Sequence, residues 1–287
     1  MAGEPQKTPQ KAPDRLEVLK KRAQYELEGK FDIDLEEDPP TLTLMPNKVD
    51  YLQKKLSSKI MRKVAYFGAK KFMQSMIKNG ALRIKRIEGI ENWKSIQTGA
   101  VITCNHFNIL DSLAMYQAYD MLNNKKRRMY RVIREGNYTN PPPKSGLLMR
   151  HCDTLPLSSN RETMVKFMRS VDTLLSKNNY VLIYPEQAMW WNYRKPRPLK
   201  DGGFKIAVRN NVPVLPVFIT MNDSGDFGPD GFEIQEYSIH IFKPIYPDKT
   251  KSKQENIKSM MEQNFELWKN CYEKTYGVPL SYTTKTE

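Results

Sequence analysis

The sequence predicts an α/β fold in which a mixed, mostly parallel sheet is flanked by helices, with an amphipathic helical region on the N-terminal side. Short apolar runs alternate along the chain with segments whose apolar residues recur at helical spacing, and this alternation is typical of a layered α/β domain. The 287 residues are 39% hydrophobic and 10% aromatic, which is enough for a substantial core. One domain with short appendages is the simplest division of such a chain.

Residues 1–40 are predicted to be a flexible, partly helical extension. Residues 1–15 are polar, residues 16–27 have the spacing of a short charged helix, and residues 32–40 are an acidic linker ending in two prolines. The first 50 residues carry 8 Lys and Arg against 11 Asp and Glu, whereas the remaining 237 carry 38 against 21, so the positive charge belongs to the body. We assign the extension no chemistry. We also expect no secretory leader and no run of roughly 18 apolar residues that would span a bilayer.

Residues 50–80 are predicted to form basic amphipathic helices at a membrane interface. Eleven Lys and Arg and no acid lie between Asp50 and Glu88, and apolar residues recur every three to five positions, with a break expected near Gly68. Such a segment suits an anionic membrane, where each basic residue adds on the order of 1 kcal/mol of attraction. The alternative is a helix whose apolar stripe packs on the core while its lysines are merely solvated. The predicted membrane contacts are Lys59, Arg62, Lys63, Lys70 and Lys71.

Residues 81–275 contain the segments of the predicted domain, and residues 276–287 are a C-terminal tail. Apolar runs predict strands at residues 81–90, 99–104, 129–133, 180–184, 212–220 and 238–246. Helical spacing predicts helices from Asp111 onward, at 162–177, at 204–208 after two glycines, and at 252–272. Residues 91–93 are expected to be a turn, and residues 123–128 and 222–231 loops. Pro213 and Pro216 favour an edge position or a bulge for their strand.

One polar motif directly follows an apolar run. Residues 100–104 are followed by Asn105 and His106, and Asp111 stands five residues after the histidine. Side chains five apart on a continuous helix point about 140° away from each other, so this pair cooperates only if the chain bends between them. Asn108 supplies the bend as a preferred helix N-cap, which places Asp111 in the first helical turn. The spacing therefore predicts that the carboxylate orients the imidazole, and that His106 acts as a general base.

Three blocks of the sequence, taken in order, carry a resemblance to a known family. They are Asn105-His106-x-x-x-x-Asp111, then Tyr184-Pro185-Glu186, then Val212-Pro213-Val214-Leu215-Pro216-Val217. They resemble the H-x-x-x-x-D, F-P-E-G-T-R-S and V-P-x-x-P-V blocks of the glycerolipid acyltransferases, the family of 1-acylglycerol-3-phosphate acyltransferase, and the likeness spans roughly residues 82–242. The resemblance implies that His106 and Asp111 are catalytic and that Asn105 and Glu186 contact the substrate. For Glu186 two roles stay open, a hydrogen bond to the acceptor glycerol or the ordering of its loop.

The sequence departs from this family at two places that concern the headgroup of the acceptor. The family's second block ends in an arginine that contacts the acceptor phosphate, whereas Ser158 stands about there and the nearest basic residue is Arg161. Gln-Ala-Met-Trp at residues 187–190 replaces G-T-R-S and removes that block's arginine, and Arg194 follows. Arg161 and Arg194 are therefore predicted phosphate contacts, since a guanidinium forks onto phosphate oxygens, although Arg161 has the alternative of a solvated position at a helix start. Lys200, in a turn that resembles the family's lysine-glycine turn, is a further substrate-binding candidate.

The resemblance implies transfer of a fatty acyl group from an acyl-CoA or acyl carrier protein thioester to the free hydroxyl of 1-acylglycerol-3-phosphate, giving phosphatidic acid. It implies no metal, no organic cofactor and no acyl-enzyme. Both donors are polyanionic, which suits a net charge of +14. The expected partners are a lysophospholipid, the donor and an anionic membrane surface, without nucleic acid. The expected location is cytoplasmic, peripherally bound to the inner face of the cell membrane, and three widely spaced cysteines give no disulfide framework.

Other functions stay open from the sequence alone. The acceptor is either this lysophospholipid, a different one, or another hydroxyl compound. A hydrolase would need an enzyme nucleophile, yet there is no G-x-S-x-G motif, and Cys104 is the thiol nearest to His106 along the chain. A non-catalytic basic protein that binds membranes or nucleic acid would explain the charge, but not the position of His106, Asp111 and Glu186 at the ends of predicted elements.

Overall fold

The structure is a computed structural model, and it describes residues 10–36, 41–124, 126–141 and 145–283. Within these ranges the strands are β1 (Arg83–Glu88), β2 (Ala100–Thr103), β3 (Met129–Ile133), β4 (Thr154–Pro156), β5 (Tyr180–Ile183), β6 (Val214–Phe227) and β7 (Glu233–Ile241). The α-helices are α1 (Pro13–Leu27), α2 (Leu56–Lys78), α3 (Ile90–Lys94), α4 (Asp111–Asp120), α5 (Glu135–Thr139), α6 (Gly146–His151), α7 (Arg161–Ser176), α8 (Gly202–Asn210) and α9 (Lys253–Tyr276).

The described strands form one sheet in the order β1-β7-β6-β2-β5-β3-β4. Neighbouring strands run parallel except for β6 and β7, which are antiparallel. The predicted mixed, mostly parallel sheet is therefore confirmed. Because β2, β3 and β5 are parallel, their carboxyl ends meet at one edge of the sheet, where ligands of α/β folds commonly bind.

Both faces of the central strands are covered, which explains why these strands are uninterrupted apolar runs. Successive residues of β2 point to opposite faces of the sheet. Val101 packs with Phe167 of α7 on one face, whereas Ile102 packs with Met115 of α4 on the other. The alternation along β2 thus joins two cores. The end of β2, directly before the His106 motif, is therefore packed on both faces.

Several predicted boundaries on the β1 and β6 side of the sheet are wrong. The turn expected at residues 91–93 lies inside α3, because the chain turns earlier, at Gly89, with φ of 78°. The loop expected at 222–231 is largely strand, since β6 continues to Phe227 and pairs with β7, which starts at Glu233 rather than at 238. These pairs are polar and partly exposed, so they give no apolar signal in the sequence.

The strand that contains Pro216 is central rather than at an edge, because β6 lies between β2 and β7. The β6 and β7 pairing starts one residue later, at Val217, and the carbonyl oxygen of Pro216 accepts a hydrogen bond from the amide of Phe242 at 3.0 Å. The missing N–H of proline therefore falls where the ladder begins, and the sheet tolerates it.

The N-terminal extension, predicted to be flexible, packs on the body wherever it is described. Helix α1 contains the predicted helix 16–27, and Val18 and Leu35 pack in a cluster with Trp190, Trp191 and Tyr193. The packing gives a physical reason for the difference, since these aromatic side chains need an apolar cover. Residues 1–9 and 37–40 of the extension lie outside the described residues, as do 284–287 of the predicted tail.

Candidate active site

The site is built where β2 ends and α4 has not yet begun. The side-chain amide of Asn105 accepts a hydrogen bond from the N–H of Ile219 at 2.8 Å and donates one to its carbonyl oxygen at 3.0 Å. Asn105 is 3% exposed, so it ties β2 to β6 as an extra rung of the sheet. This position differs from the predicted contact with substrate, because both polar ends of the amide are already used.

His106 and Asp111 form the contact that their spacing predicts. Nδ1 of His106 lies 2.7 Å from Oδ2 of Asp111, whose side chain is fully buried, whereas the imidazole is 24% exposed. Among the described residues, Nε2 of His106 has no hydrogen-bond partner. The carboxylate therefore fixes one side of the ring and leaves the other nitrogen at an accessible surface.

The buried carboxylate of Asp111 is fully hydrogen-bonded. Oδ2 also accepts the N–H groups of Phe107 and Asn108 at 3.2 and 3.3 Å, while Oδ1 accepts the hydroxyl of Tyr184 at 2.9 Å and that of Ser112 at 3.2 Å. These donors offset the cost of burying a charge. The predicted N-cap role of Asn108 is wrong, because α4 begins at Asp111 and its N-cap residue is Leu110. The side-chain oxygen of Asn108 instead accepts a hydrogen bond from the N–H of Leu110, within the turn before the helix.

Tyr184 is a site residue whose role the sequence did not reveal, although it stands in the second block. Its ring stacks on the imidazole of His106, with centroids 4.2 Å apart and planes at 21°. Burial raises the pKa of Tyr184 well above its usual value, so that the hydroxyl remains a donor to Asp111. Tyr184 thus fixes both members of the pair.

Glu186 follows β5 and holds the His106 turn from behind. Its Oε2 accepts the N–H of His106 at 3.0 Å and pairs with Nη2 of Arg197 at 2.8 Å, and its Oε1 accepts the N–H of Arg197 at 2.8 Å. Both side chains are almost completely buried, at 2% and 1% exposure. Of the two roles left open for Glu186, this geometry favours the ordering of the loop. Arg197 was missed because it stood among other basic residues.

The cations predicted to meet the acceptor phosphate are either exposed or paired with an acid. Arg161 is exposed at the start of α7 and lines a groove along that helix together with Arg169. Arg194 pairs with Asp223 at 2.7 Å, and Lys200 pairs with Asp32 at 2.7 Å. Among the described residues, no hydrogen bond or ion pair links Arg161, Arg194 or Lys200 to the His106 and Asp111 pair. Their predicted roles stay predictions.

The loop after Glu186 carries backbone strain at Gln187. Its φ is 64°, in the left-handed region that favours glycine and costs another residue roughly 1–2 kcal/mol. Gln187 stands where the block of the resembling family has glycine, the residue that suits this backbone conformation best. Arg134, directly after β3, donates to the carbonyl oxygen of Gln187 at 2.9 Å and also pairs with Asp34 of the extension.

Helix α2 is one unbroken helix through Gly68, and its two sides differ. Its outer side bears an exposed apolar stripe of Leu56, Ile60, Val64 and Phe67, with the exposed lysines Lys59, Lys63, Lys70 and Lys71 on or beside it. The stripe therefore does not pack on the core, contrary to the alternative weighed for the sequence. No described helix is long and apolar enough to cross a membrane.

Arg62 departs from the predicted membrane set, because it faces the protein. Its guanidinium donates to the buried carboxylate of Asp153 at 2.8 Å, and Arg128 pairs with the same carboxylate. Burial raises the pKa of Asp153, but the hydrogen bonds from these two arginines outweigh it and hold the pKa below its usual value. The ion pair between Arg62 and Asp153 fixes α2 to the body, so the exposed apolar stripe stays on the outer side of the helix.

Cys104 is an unsuitable nucleophile despite its position near His106. It is fully buried, and that burial raises the pKa of the thiol well above its usual value. Because the thiolate is the reactive form, the site contains His106 with no enzyme nucleophile beside it in the described residues.

Comparison with known proteins gives the following matches. Residues 84–220 match a family model described as Acyltransferase, a range that contains His106, Asp111 and Glu186. The chain is similar to a chloroplastic 1-acyl-sn-glycerol-3-phosphate acyltransferase of Brassica napus, at 29% identity over 171 residues, which are 57% of this chain and 45% of that protein. The chain thus spans less than half the length of this curated relative.

A solved structure agrees with the fold. The chain is similar to the 1-acyl-sn-glycerophosphate acyltransferase of Thermotoga maritima, with a TM-score of 0.50 and 18% sequence identity. The match covers 80% of this chain and 87% of the other. At this identity the likeness shows a shared architecture, and the chemistry has to be argued from the site.

Proposed function

We propose, on the premise that residues 84–220 belong to the acyltransferase family as the sequence blocks predicted, that this chain is an O-acyltransferase. It transfers a fatty acyl group from a thioester to the free hydroxyl of 1-acylglycerol-3-phosphate, giving phosphatidic acid. The observation that carries the proposal is the 2.7 Å contact between His106 and Asp111, which leaves Nε2 of His106 available as a base.

The reaction needs one proton acceptor and no enzyme nucleophile. Nε2 of His106 takes the proton of the acceptor hydroxyl while that oxygen attacks the thioester carbonyl. The tetrahedral intermediate then collapses, the carbon–sulfur bond breaks, and the imidazolium returns its proton to the leaving thiolate. Asp111 stays ionised throughout and stabilises the imidazolium, while Tyr184 keeps the ring in place.

The charge of the body supports an anionic donor. Outside the first 50 residues the chain has 38 Lys and Arg against 21 Asp and Glu, and both acyl-CoA and acyl carrier protein are polyanionic. A basic surface raises the local concentration of such donors and their association rate. Either donor fits this argument equally well.

Helix α2 supports docking on an anionic membrane, where the lysophospholipid acceptor resides. Phe67 is 64% exposed and Leu56 is 73% exposed, and lysines lie on the same side of the helix. Exposed apolar side chains among lysines suit the boundary between headgroups and acyl chains. Ile109, in the turn that holds His106, is 70% exposed and offers an apolar surface to an acyl chain.

The proposed chemistry is tested by an acyl-transfer assay read by mass spectrometry. Lysophospholipids with different headgroups are offered in micelles with long-chain acyl-CoA or acyl carrier protein. Wild type is expected to form the diacyl product, and His106→Ala is expected to lose about 10² to 10⁴-fold in kcat while staying folded. His151→Ala is the matched control, because His151 lies at the end of α6 outside the site. Near-normal turnover of His106→Ala would remove the central claim.

The membrane proposal is tested separately by sedimentation with vesicles that contain anionic lipid. Reversing Lys59, Lys63, Lys70 and Lys71 to Glu is expected to abolish binding, as is the apolar-stripe variant with Ile60→Glu and Phe67→Glu. The control reverses four exposed lysines near the start of α9, namely Lys249, Lys251, Lys253 and Lys258. Equal losses in the control would show that net charge, rather than α2, directs the binding.

A further inference from the structure

An acidic segment of the extension, residues 32–36, lies on the loop that follows Glu186. Oδ1 of Asp34 accepts the N–H of Met189 at 2.7 Å, and Oδ2 of Asp34 pairs with the guanidinium of Arg134. Next to it, the carbonyl oxygen of Ile33 accepts the indole N–H of Trp190 at 2.8 Å. The segment therefore places a carboxylate between a backbone donor and a cation of the body.

The donors that meet Asp34 form an anion site in their own right. A backbone N–H together with a guanidinium is a common donor set for carboxylate and phosphate. Arg134 is held in place by its second contact, to the carbonyl oxygen of Gln187 at 2.9 Å. The side chain of Asp34 is 18% exposed, so the position is reachable from solvent. The carboxylate stands where another anion would bind with the same donors.

This anion site is close to the catalytic histidine. The loop touches the His106 backbone twice, because Glu186 accepts its N–H at 3.0 Å and the N–H of Trp190 donates to its carbonyl oxygen at 3.2 Å. Met189 directly precedes Trp190, so the Asp34 carboxylate lies within about 10 Å of the His106 backbone. The anion site and the His106 turn are therefore joined through one loop.

We propose that Asp34 is a built-in competitor of the acceptor's anionic headgroup. Its carboxylate occupies the anion site formed by the Met189 amide and Arg134, and a phosphate monoester binds there when it displaces the carboxylate. This inference rests on the proposed function, and it concerns how the acyltransferase site selects its acceptor. An acceptor with a phosphodiester carries less negative charge and gains less from the exchange, so the segment also acts on headgroup preference.

The charge distribution supports a competitor that is part of the chain. The first 50 residues are net acidic, at 8 Lys and Arg against 11 Asp and Glu, while the body is basic. A tethered group acts at an effective concentration of about the millimolar range, so a modest intrinsic affinity is enough for it to compete. The apparent affinity for the phosphate then falls by the fraction of molecules in which the site is open.

The test compares Asp34→Asn with wild type in the full chain. Asparagine keeps the shape and can still accept the Met189 N–H, but it lacks the charge that pairs with Arg134. The acceptor KM for the phosphate monoester is expected to fall about three- to tenfold at unchanged kcat. The KM for a phosphocholine acceptor should fall less, because its phosphodiester carries less negative charge. Glu36→Gln is the matched control, because it removes a charge from the same segment but pairs with Arg15 rather than Arg134.

A binding measurement without donor separates this proposal from the proposed function. Titration calorimetry with glycerol 3-phosphate is expected to show tighter binding to Asp34→Asn than to wild type, even if no acyl transfer occurs. Adding Arg134→Gln is expected to weaken binding and to cancel the gain from Asp34→Asn. Unchanged glycerol 3-phosphate affinity and unchanged KM in Asp34→Asn, or an equal change in Glu36→Gln, would overturn the proposal.

Discussion

The buried ion pair of Glu186 and Arg197 offers the sharpest test of how the site is held. Nη2 of Arg197 contacts Glu186, and it also donates to the carbonyl oxygens of His106 at 3.1 Å and of Ala188. Glu186 in turn binds the N–H of His106. Both backbone groups of His106 thus contact one pair of side chains.

The expected magnitude follows from the burial of this pair. Glu186→Gln leaves a buried guanidinium without its counter-charge, and Arg197→Met leaves a buried carboxylate, so each single variant should lose about 3–5 kcal/mol of unfolding free energy. The double variant removes both charges together and should lose clearly less than the sum of the two. Because the His106 backbone shifts in each single variant, kcat should fall by about tenfold or more.

The measurement is a double-mutant cycle by urea denaturation, with steady-state kinetics on the same four proteins. A coupling of at least about 1 kcal/mol is expected, together with a loss in kcat and little change in acceptor KM. Additive stability losses would refute the reasoning. So would a Glu186→Gln variant of normal stability whose acceptor KM rises, because that result assigns Glu186 to the acceptor glycerol.

Three further outcomes follow from the structure. Tyr184→Phe keeps the ring that stacks on His106 but removes a hydrogen-bond donor to Asp111. Steady-state kinetics should therefore show a fall in kcat of up to about tenfold. Asp153→Asn should cost roughly 3 kcal/mol in urea denaturation, because it leaves Arg62 without its buried partner. Burial lowers the pKa of His240, so as pH falls the unfolded chain takes up a proton on this residue before the folded chain does. The stability contributed by the neutral, buried His240 is therefore complete above a pH of about 6.5 and is lost as pH falls below that value. His240→Gln should flatten the pH dependence of unfolding in that window.

The sequence predicted the parts of the fold that have an apolar period. Strands β2, β3 and β5 and helix α7 lie close to their expected bounds, because their residues are buried on one or both faces. The outer half of β6 was missed for the opposite reason. Residues 222–226 are without large apolar side chains and lie beside β7 outside the core, so backbone hydrogen bonds define the strand while its side chains give no apolar signal.

The site shows the same division between local and long-range information. The His106 and Asp111 contact is local, since five residues and a turn fix it, and spacing alone predicted it. The partners of Glu186 and Asp111 come from other elements, such as Arg197 and Tyr184, and only the packing of β5 against β2 brings them together. The basic residues were placed least well, because a count of charge does not tell which arginine pairs with a buried acid.

The role of the extension is the clearest case in which long-range contacts change an expectation. The sequence predicts that deleting residues 1–40 leaves turnover intact. In the structure, the carbonyl oxygen of Phe31 accepts a hydrogen bond from Nη1 of Arg197 at 2.8 Å, and that of Ile33 accepts one from Trp190 at 2.8 Å. Both donors are at most 1% exposed.

Deleting residues 1–36 should therefore cost stability and turnover. Two buried donors lose their acceptors, at about 1–3 kcal/mol each, and the aromatic cluster around Trp190 loses its apolar cover. Deletion of residues 1–9 is the control, and urea denaturation with steady-state kinetics is the measurement. A truncated protein with wild-type stability and kcat would contradict this view. Because deletion removes the support of Arg197 together with the charge of Asp34, the competition by Asp34 can be measured only with a point variant that leaves the backbone of the segment in place.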